Sequence, residues 1–95
     1  MEELLKALEE LYDRKDNFYI NEDDGLTYFV ADDLYDRVTN LCCEHLITAG
    51  GRCNWKNIDI LRNNKYRVFA AEEDGFGWLI GCVKKIHDNR AVYYG

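Results

Sequence analysis

Serine, proline and glutamine are absent from the chain. Without serine, a serine nucleophile is excluded. Long apolar runs are missing too: the longest are a few residues, far short of the roughly 20 that a membrane-spanning helix needs. The start, Met1-Glu2-Glu3, has neither the basic stretch nor the apolar run of a secretion signal, so the expected location is cytoplasmic. Positive charge is scarce. Twelve Lys and Arg stand against 18 Asp and Glu, for a net charge of −6 and a pI of about 4.8. A net anion gains little from a phosphate backbone, which argues against direct nucleic-acid binding. No Cys-x-x-Cys pair occurs among Cys42, Cys43, Cys53 and Cys82. With no secretory context these are expected to be reduced thiols packed as small hydrophobes.

What is present describes a globular domain. The 95 residues are 47% apolar and 14% aromatic, enough for one folded domain spanning residues 1–95. Leu4, Leu5, Leu8, Leu11 and Tyr12 recur at spacings of three and four, which predicts an amphipathic helix over 1–15. Glu2 and Glu3 sit at its positive pole, Arg14 and Lys15 at its negative one. Asn17–Asn21 and Leu26–Val30 flank Glu22-Asp23-Asp24-Gly25 as a hairpin. Gly25 supplies the positive φ of its turn.

A second helix is expected over 32–49, capped by Asp32 or Asp33 and stopped by Gly50-Gly51. Leu34, Val38, Leu41, Cys42, His45 and Ala49 form its apolar stripe, while Cys43 and Ile47 fall on the opposite side. Asn54 caps a short helix from Trp55 to Asn63, with Trp55, Ile58 and Leu61 inward and a left-handed exit at Asn63-Asn64. From Tyr66 the period becomes two: Tyr66–Ala71, an acidic turn at Glu72-Glu73-Asp74-Gly75, then Phe76–Lys84. His87–Arg90 reads as a polar turn before a last strand, Ala91–Tyr94. The order α-β-β-α-α-β-β-β predicts an α+β fold in which helices cover one face of an antiparallel sheet.

Three chemistries deserve weighing. Cys42 and His45 lie three apart on one helical face, and with Cys53 and Cys82 they have the donor types of a zinc site. The spacing lacks a tight thiol knuckle, so the residues read as core, with no metal and no cofactor. A Cys42–His45 nucleophile has no orienting third residue or oxyanion donor, and the chain reads as a non-enzyme. The span 54–83 has the helix-then-hairpin order of a winged helix, with Lys56, Arg62 and Lys65 as its cations. Its hairpin tip, however, is acidic.

The acids themselves are the remaining signal. Glu22-Asp23-Asp24, the trio Asp32, Asp33 and Asp36, and Glu72-Glu73-Asp74 are compact anionic patches. With both hairpins on one side, they would form a surface complementary to a cationic groove. Phe76 and Trp78 beside the third patch are candidate anchors. A plainer account is that acids solubilise turns and cap helices. An exposed strand, or Cys43 with Ile47, would serve as a homodimer contact.

Along Asn54-Trp55-Lys56-Asn57-Ile58, Tyr66-Arg67-Val68 and Phe76-Gly77-Trp78-Leu79-Ile80-Gly81, the chain resembles small uncharacterised proteins of phages and mobile elements in Gram-positive bacteria. Its size, acidity and irregular α+β order are also similar to those of anti-CRISPR proteins, some of which mimic DNA. The resemblance implies a phage or mobile-element inhibitor in the cytoplasm of a bacterial host, with a nucleic-acid-binding nuclease complex as partner. That class shares no motif, so no site residue is carried over.

Overall fold

The computed structural model describes residues 1–23, 25–47, 53–68 and 83–92. The leucine stripe winds α1 (Glu2–Tyr12) and buries Leu4, Ala7, Leu8, Leu11 and Tyr12. Each fully buried leucine contributes roughly 2 kcal/mol. The helix ends at Tyr12, three residues before the expected stop, and Arg14 and Lys15 lie beyond its last turn.

Asp32 is the N-cap of α2 (Asp33–Glu44), its carboxylate accepting from Tyr35 N–H at 2.9 Å. This helix stops five residues before Ala49, for a local reason. Leu46 adopts a left-handed φ of 54°, Leu46 N–H donates to Cys43 C=O at 3.2 Å and Ile47 N–H to Cys42 C=O at 2.9 Å. Those two bonds make a Schellman motif with leucine where glycine is usual, a conformation that costs about 1 kcal/mol. The motif turns Ile47 back over Cys42, and both become fully buried. Ile47 is therefore core, not the outward residue that an uninterrupted helix implies. Residues 50 and 51 lie outside the described residues.

Asn54 caps α3 (Trp55–Asn63) through Asn57 N–H at 3.2 Å. Ile58 and Leu61 face inward as expected, but Trp55 is 53% exposed. The left-handed exit falls on Lys65, with φ of 68°, where Asn63-Asn64 was expected.

The strands are β1 (Phe18–Ile20), β2 (Thr27–Phe29), β3 (Tyr66–Val68), β4 (Val83–Lys85) and β5 (Arg90–Val92). They form one sheet in the order β1-β2-β5-β4-β3. The expected α+β class holds, and the described elements follow one another as α-β-β-α-α-β-β-β, but the sheet is mixed. β2 and β5 run parallel, Thr27 opposite Arg90 and Tyr28 opposite Ala91, while the other pairings are antiparallel. Turn chemistry specifies pairing within a hairpin and says nothing of which edge meets the next one. Here the chain crosses through two helices between β2 and β3, and β5 inserts beside β2 with its direction preserved.

All three helices pack on one sheet face, where Phe29, Tyr66, Val68, Val83 and Val92 join the leucines in the main core. Tyr28 and Ala91 form a second small cluster with Leu26 against it. Alternation along the strands puts Tyr19, Arg67 and Lys84 on that second face as well.

Arg90 fastens the two layers. Read from sequence as part of a polar turn, it opens β5 and reaches the end of α1. Its guanidinium donates to Tyr12 C=O at 2.6 Å, to Arg14 C=O, and to Asp88 through Nε at 3.0 Å and Nη2 at 2.6 Å. It lies 4.8 Å from the Phe18 ring centroid and 5.0 Å from that of Phe29. Tyr12 completes the tie from the other side, its hydroxyl donating to Val83 C=O at 2.9 Å and Arg90 C=O at 3.2 Å. Carbonyls orphaned at the end of α1 thus receive donors from β5.

Arg90→Met removes those donors and leaves Asp88 unpaired. It should lower stability by about 2–3 kcal/mol, and Tm by roughly 10–20 °C, in a thermal melt. Burial would raise the Asp88 carboxyl, but hydrogen bonds from the Arg90 side chain and backbone outweigh it and hold the group below its ordinary range. A depressed carboxylate stabilises the fold above its unfolded pKa and loses that contribution as pH falls through the folded value. Stability should accordingly decline below about pH 4. Asp88→Asn should flatten that decline in denaturant titrations run at several pH values.

Candidate functional site

The structure separates the acids that sequence had grouped. Glu22 and Asp23 are exposed at the β1–β2 turn. Asp23 N–H donates to Asn21 Oδ1 at 2.9 Å and Gly25 N–H to Asn21 C=O at 2.8 Å. Gly25 has the left-handed φ, 72°, that the turn requires. Asp24 lies outside the described residues. Among the described residues the Glu22 and Asp23 carboxylates hold no fold contact: the turn is held by Asn21 and glycine.

Asp32 is differently placed. It accepts from Arg14 Nη1, from Asn17 Nδ2 at 3.4 Å and from Tyr35 N–H. The Arg14 hydrogen bond, then that of Tyr35, hold its carboxyl below the usual range. Asp32 is a cap and an anchor for the α1–β1 connection, which removes it from the set available to a partner.

Asp33 and Asp36 remain exposed on the first turn of α2. They line a shallow depression between α1 and α2 with Glu3, Asn40 and Glu44. Its cation is Arg37, 3.3 Å from Glu3. On the outer arc of α1, Glu2, Glu9 and Glu10 are exposed around Lys6. Sequence reading missed Glu3 and Glu44. The signal was there, since 33, 36, 40 and 44 recur at helical spacing on the face away from Val38, Leu41 and Cys42.

The β1–β2 turn and the start of α2 stand at opposite ends of β2, about 13 Å apart along the strands. Val68 and Val83 pair at the end that holds Val92, away from the Thr27–Arg90 end where that turn sits. Val68 and Val83 therefore stand at the end of the sheet opposite the first turn. The hairpin expected between them, with its acids Glu72, Glu73 and Asp74 and with Phe76 and Trp78, lies outside the described residues.

Of the cysteine–histidine set, Cys42, His45 and Cys53 are described. Cys42 is fully buried, and burial, with Cys43 adding to it, pushes its thiol up to about 12, which opposes the thiolate that a metal requires. Cys43 is exposed and Cys53 half-buried. His45 is the C-cap of α2, its carbonyl accepting from Asn57 Nδ2 at 3.0 Å. Among the described residues no three His, Cys, Asp or Glu are placed to hold a metal ion, and Cys82 lies outside them.

Alkylation of the native protein followed by peptide mass mapping should label Cys43 rapidly, and Cys42 only after denaturation. Equal labelling of both under native conditions would contradict the buried placement. Comparison with known proteins adds no relative to this picture: no family model, curated protein or solved structure matches the chain.

Proposed function

We propose that the chain is a non-catalytic interaction protein that engages a cationic surface on a host nucleic-acid-processing complex and blocks access of nucleic acid to it. A CRISPR effector nuclease is the first partner to try, in keeping with the resemblance to phage-borne inhibitors. The observation that carries the reading is the acidic face of α1 and α2. There Glu3, Asp33, Asp36 and Glu44 surround Arg37, and Glu2, Glu9 and Glu10 extend the charge along α1.

These carboxylates are exposed and none lies in the core. Among the described residues the partly buried ion pairs are Arg14–Asp32 and Arg90–Asp88, and neither draws on this face, whose Glu3–Arg37 pair is largely exposed. Charge displayed on two rigid helices can steer a cationic partner and set its orientation. Glu22 and Asp23 offer a second, separate contact. Glu72, Glu73, Asp74, Phe76 and Trp78 bear no weight in this argument.

Binding of the purified protein to an effector nuclease, measured by interferometry, tests the assignment. Asp33→Lys/Asp36→Lys/Glu44→Lys should weaken binding by about tenfold or more and reduce its salt dependence. Glu22→Lys/Asp23→Lys should have the smaller effect. Circular dichroism confirms that each variant is folded. Undiminished binding by the folded triple variant would overturn the acidic-face assignment.

A further inference from the structure

Among the described residues the sheet ends on one side at β1, which pairs with β2 alone. Its residues are Phe18, Tyr19 and Ile20, with none of the lysines, prolines or bulges that protect an edge strand from a partner. Tyr19 is 51% exposed and Ile20 69%, the most of any large apolar side chain among the described residues. β3, the opposite edge, carries Arg67 at its centre. Of the two homodimer contacts named from the sequence, Cys43 with Ile47 is set aside because Ile47 is buried. The exposed strand remains.

The ladder fixes where the open backbone groups of β1 lie. Val30 N–H donates to Asn17 C=O and Asn21 N–H to Leu26 C=O, both at 2.8 Å, so the hydrogen bonds to β2 fall at 17, 19 and 21. The N–H and C=O groups of Phe18 and Ile20 therefore point away from β2. The side chains of Phe18 and Ile20 share the helix-side face. Tyr19 lies on the other, its ring stacked on that of Tyr28 at 5.9 Å between centroids.

We propose that β1 pairs antiparallel with β1 of a second copy about a two-fold axis at Tyr19, joining the two sheets edge to edge. Phe18 of each chain then exchanges both main-chain hydrogen bonds with Ile20 of the other, and Tyr19 faces Tyr19 in the closer, non-hydrogen-bonded pair. Every side chain of the strand meets an apolar one, and the exposed Ile20 of each copy covers the half-buried Phe18 of the other. Neighbouring registers lose this match. An axis at Ile20 sets Phe18 against Glu22. An axis at Phe18 carries Ile20 beyond Asn17, whose left-handed φ of 73° ends the extended backbone. The contact is isologous, so it closes at two chains.

Charge at the strand ends favours a second copy as the occupant. Antiparallel pairing brings the exposed Glu22 and Asp23 of one chain to the end of β1 where Lys15 of the other stands, and the two-fold axis repeats the contact. Lys15 is exposed and forms no ion pair among the described residues. With Phe18 and Ile20 it lines an open depression of about 750 Å³ beside the edge. A ladder of three residues a side falls below the roughly 1,200 Å² of a standard interface, so the dimer is weak and concentration-dependent. This inference does not depend on the acidic-face reading, and the two fail separately.

Analytical ultracentrifugation of the full chain under reducing conditions, from about 10 µM to about 1 mM, tests it. A reversible monomer–dimer equilibrium is expected. Ile20→Pro removes an N–H that β2 does not use, and should weaken dimerisation by about tenfold or more. Ile20→Lys keeps the backbone and sets a charge against Phe18, with the same expected loss. Circular dichroism and a thermal melt show that each variant folds, and Ile20→Lys decides the matter if Ile20→Pro does not. Lys15→Glu should weaken the dimer several-fold, and Lys15→Glu/Asp23→Lys should restore it. A monomer at every concentration, assembly beyond two chains, undiminished dimerisation by a folded Ile20 variant, or a charge swap that restores nothing would each overturn the proposal.

Discussion

The fold turns on one guanidinium. Arg90 stands where α1 ends and β5 begins, and it serves three demands together. It donates to carbonyls left open by the end of the helix, neutralises Asp88, and lies within 5 Å of two aromatic centroids. Arginine suits this position because its planar fork holds several acceptors without a proton to lose. Lysine, a single point of charge, could not reach Tyr12, Arg14 and Asp88 at once. Tyr12 answers from the helix with bonds to the backbone of β4 and β5, so helix and sheet are positioned by reciprocal hydrogen bonds as well as by leucine packing.

Much of the local structure was legible in the sequence. Leucine spacing marked α1, Asp32 and Asn54 marked the starts of two helices, and Gly25 marked the first turn. Each of these is decided by neighbours within a few residues. The errors share another origin. α2 stops at a Schellman motif built on Leu46, where no glycine announces it, and the chain bends because Ile47 gains a place in the core. β5 pairs parallel with β2 because of contacts more than 60 positions apart, such as Thr27 with Arg90. Periodicity shows which face a residue takes and leaves open which strand lies beside it.

Legibility of the candidate sites followed the same division. The acids of the first turn and of α2 could be named individually, but whether they act together depends on sheet topology, and the topology places them at opposite ends of β2. Asp32 looked like part of a patch and is a structural anchor. Glu3 and Glu44 looked incidental and line the acidic depression. Strand register acts in the same way: Arg67 and Lys84 are 17 positions apart in sequence and become neighbours only through it.

The parallel pairing also bears on the order in which the sheet can form. β5 follows every other strand in the chain, yet it occupies the middle of the sheet, between β2 and β4. Until it is in place, the β1–β2 hairpin and the β3–β4 pair each keep an open inner edge, and neither can dock on the other. Closure therefore waits on contacts of long sequence separation, the kind that slow folding and leave strand edges exposed meanwhile. In a nascent chain the N-terminal half would be present well before the strand that joins it to the rest, and the residue that begins that strand is Arg90.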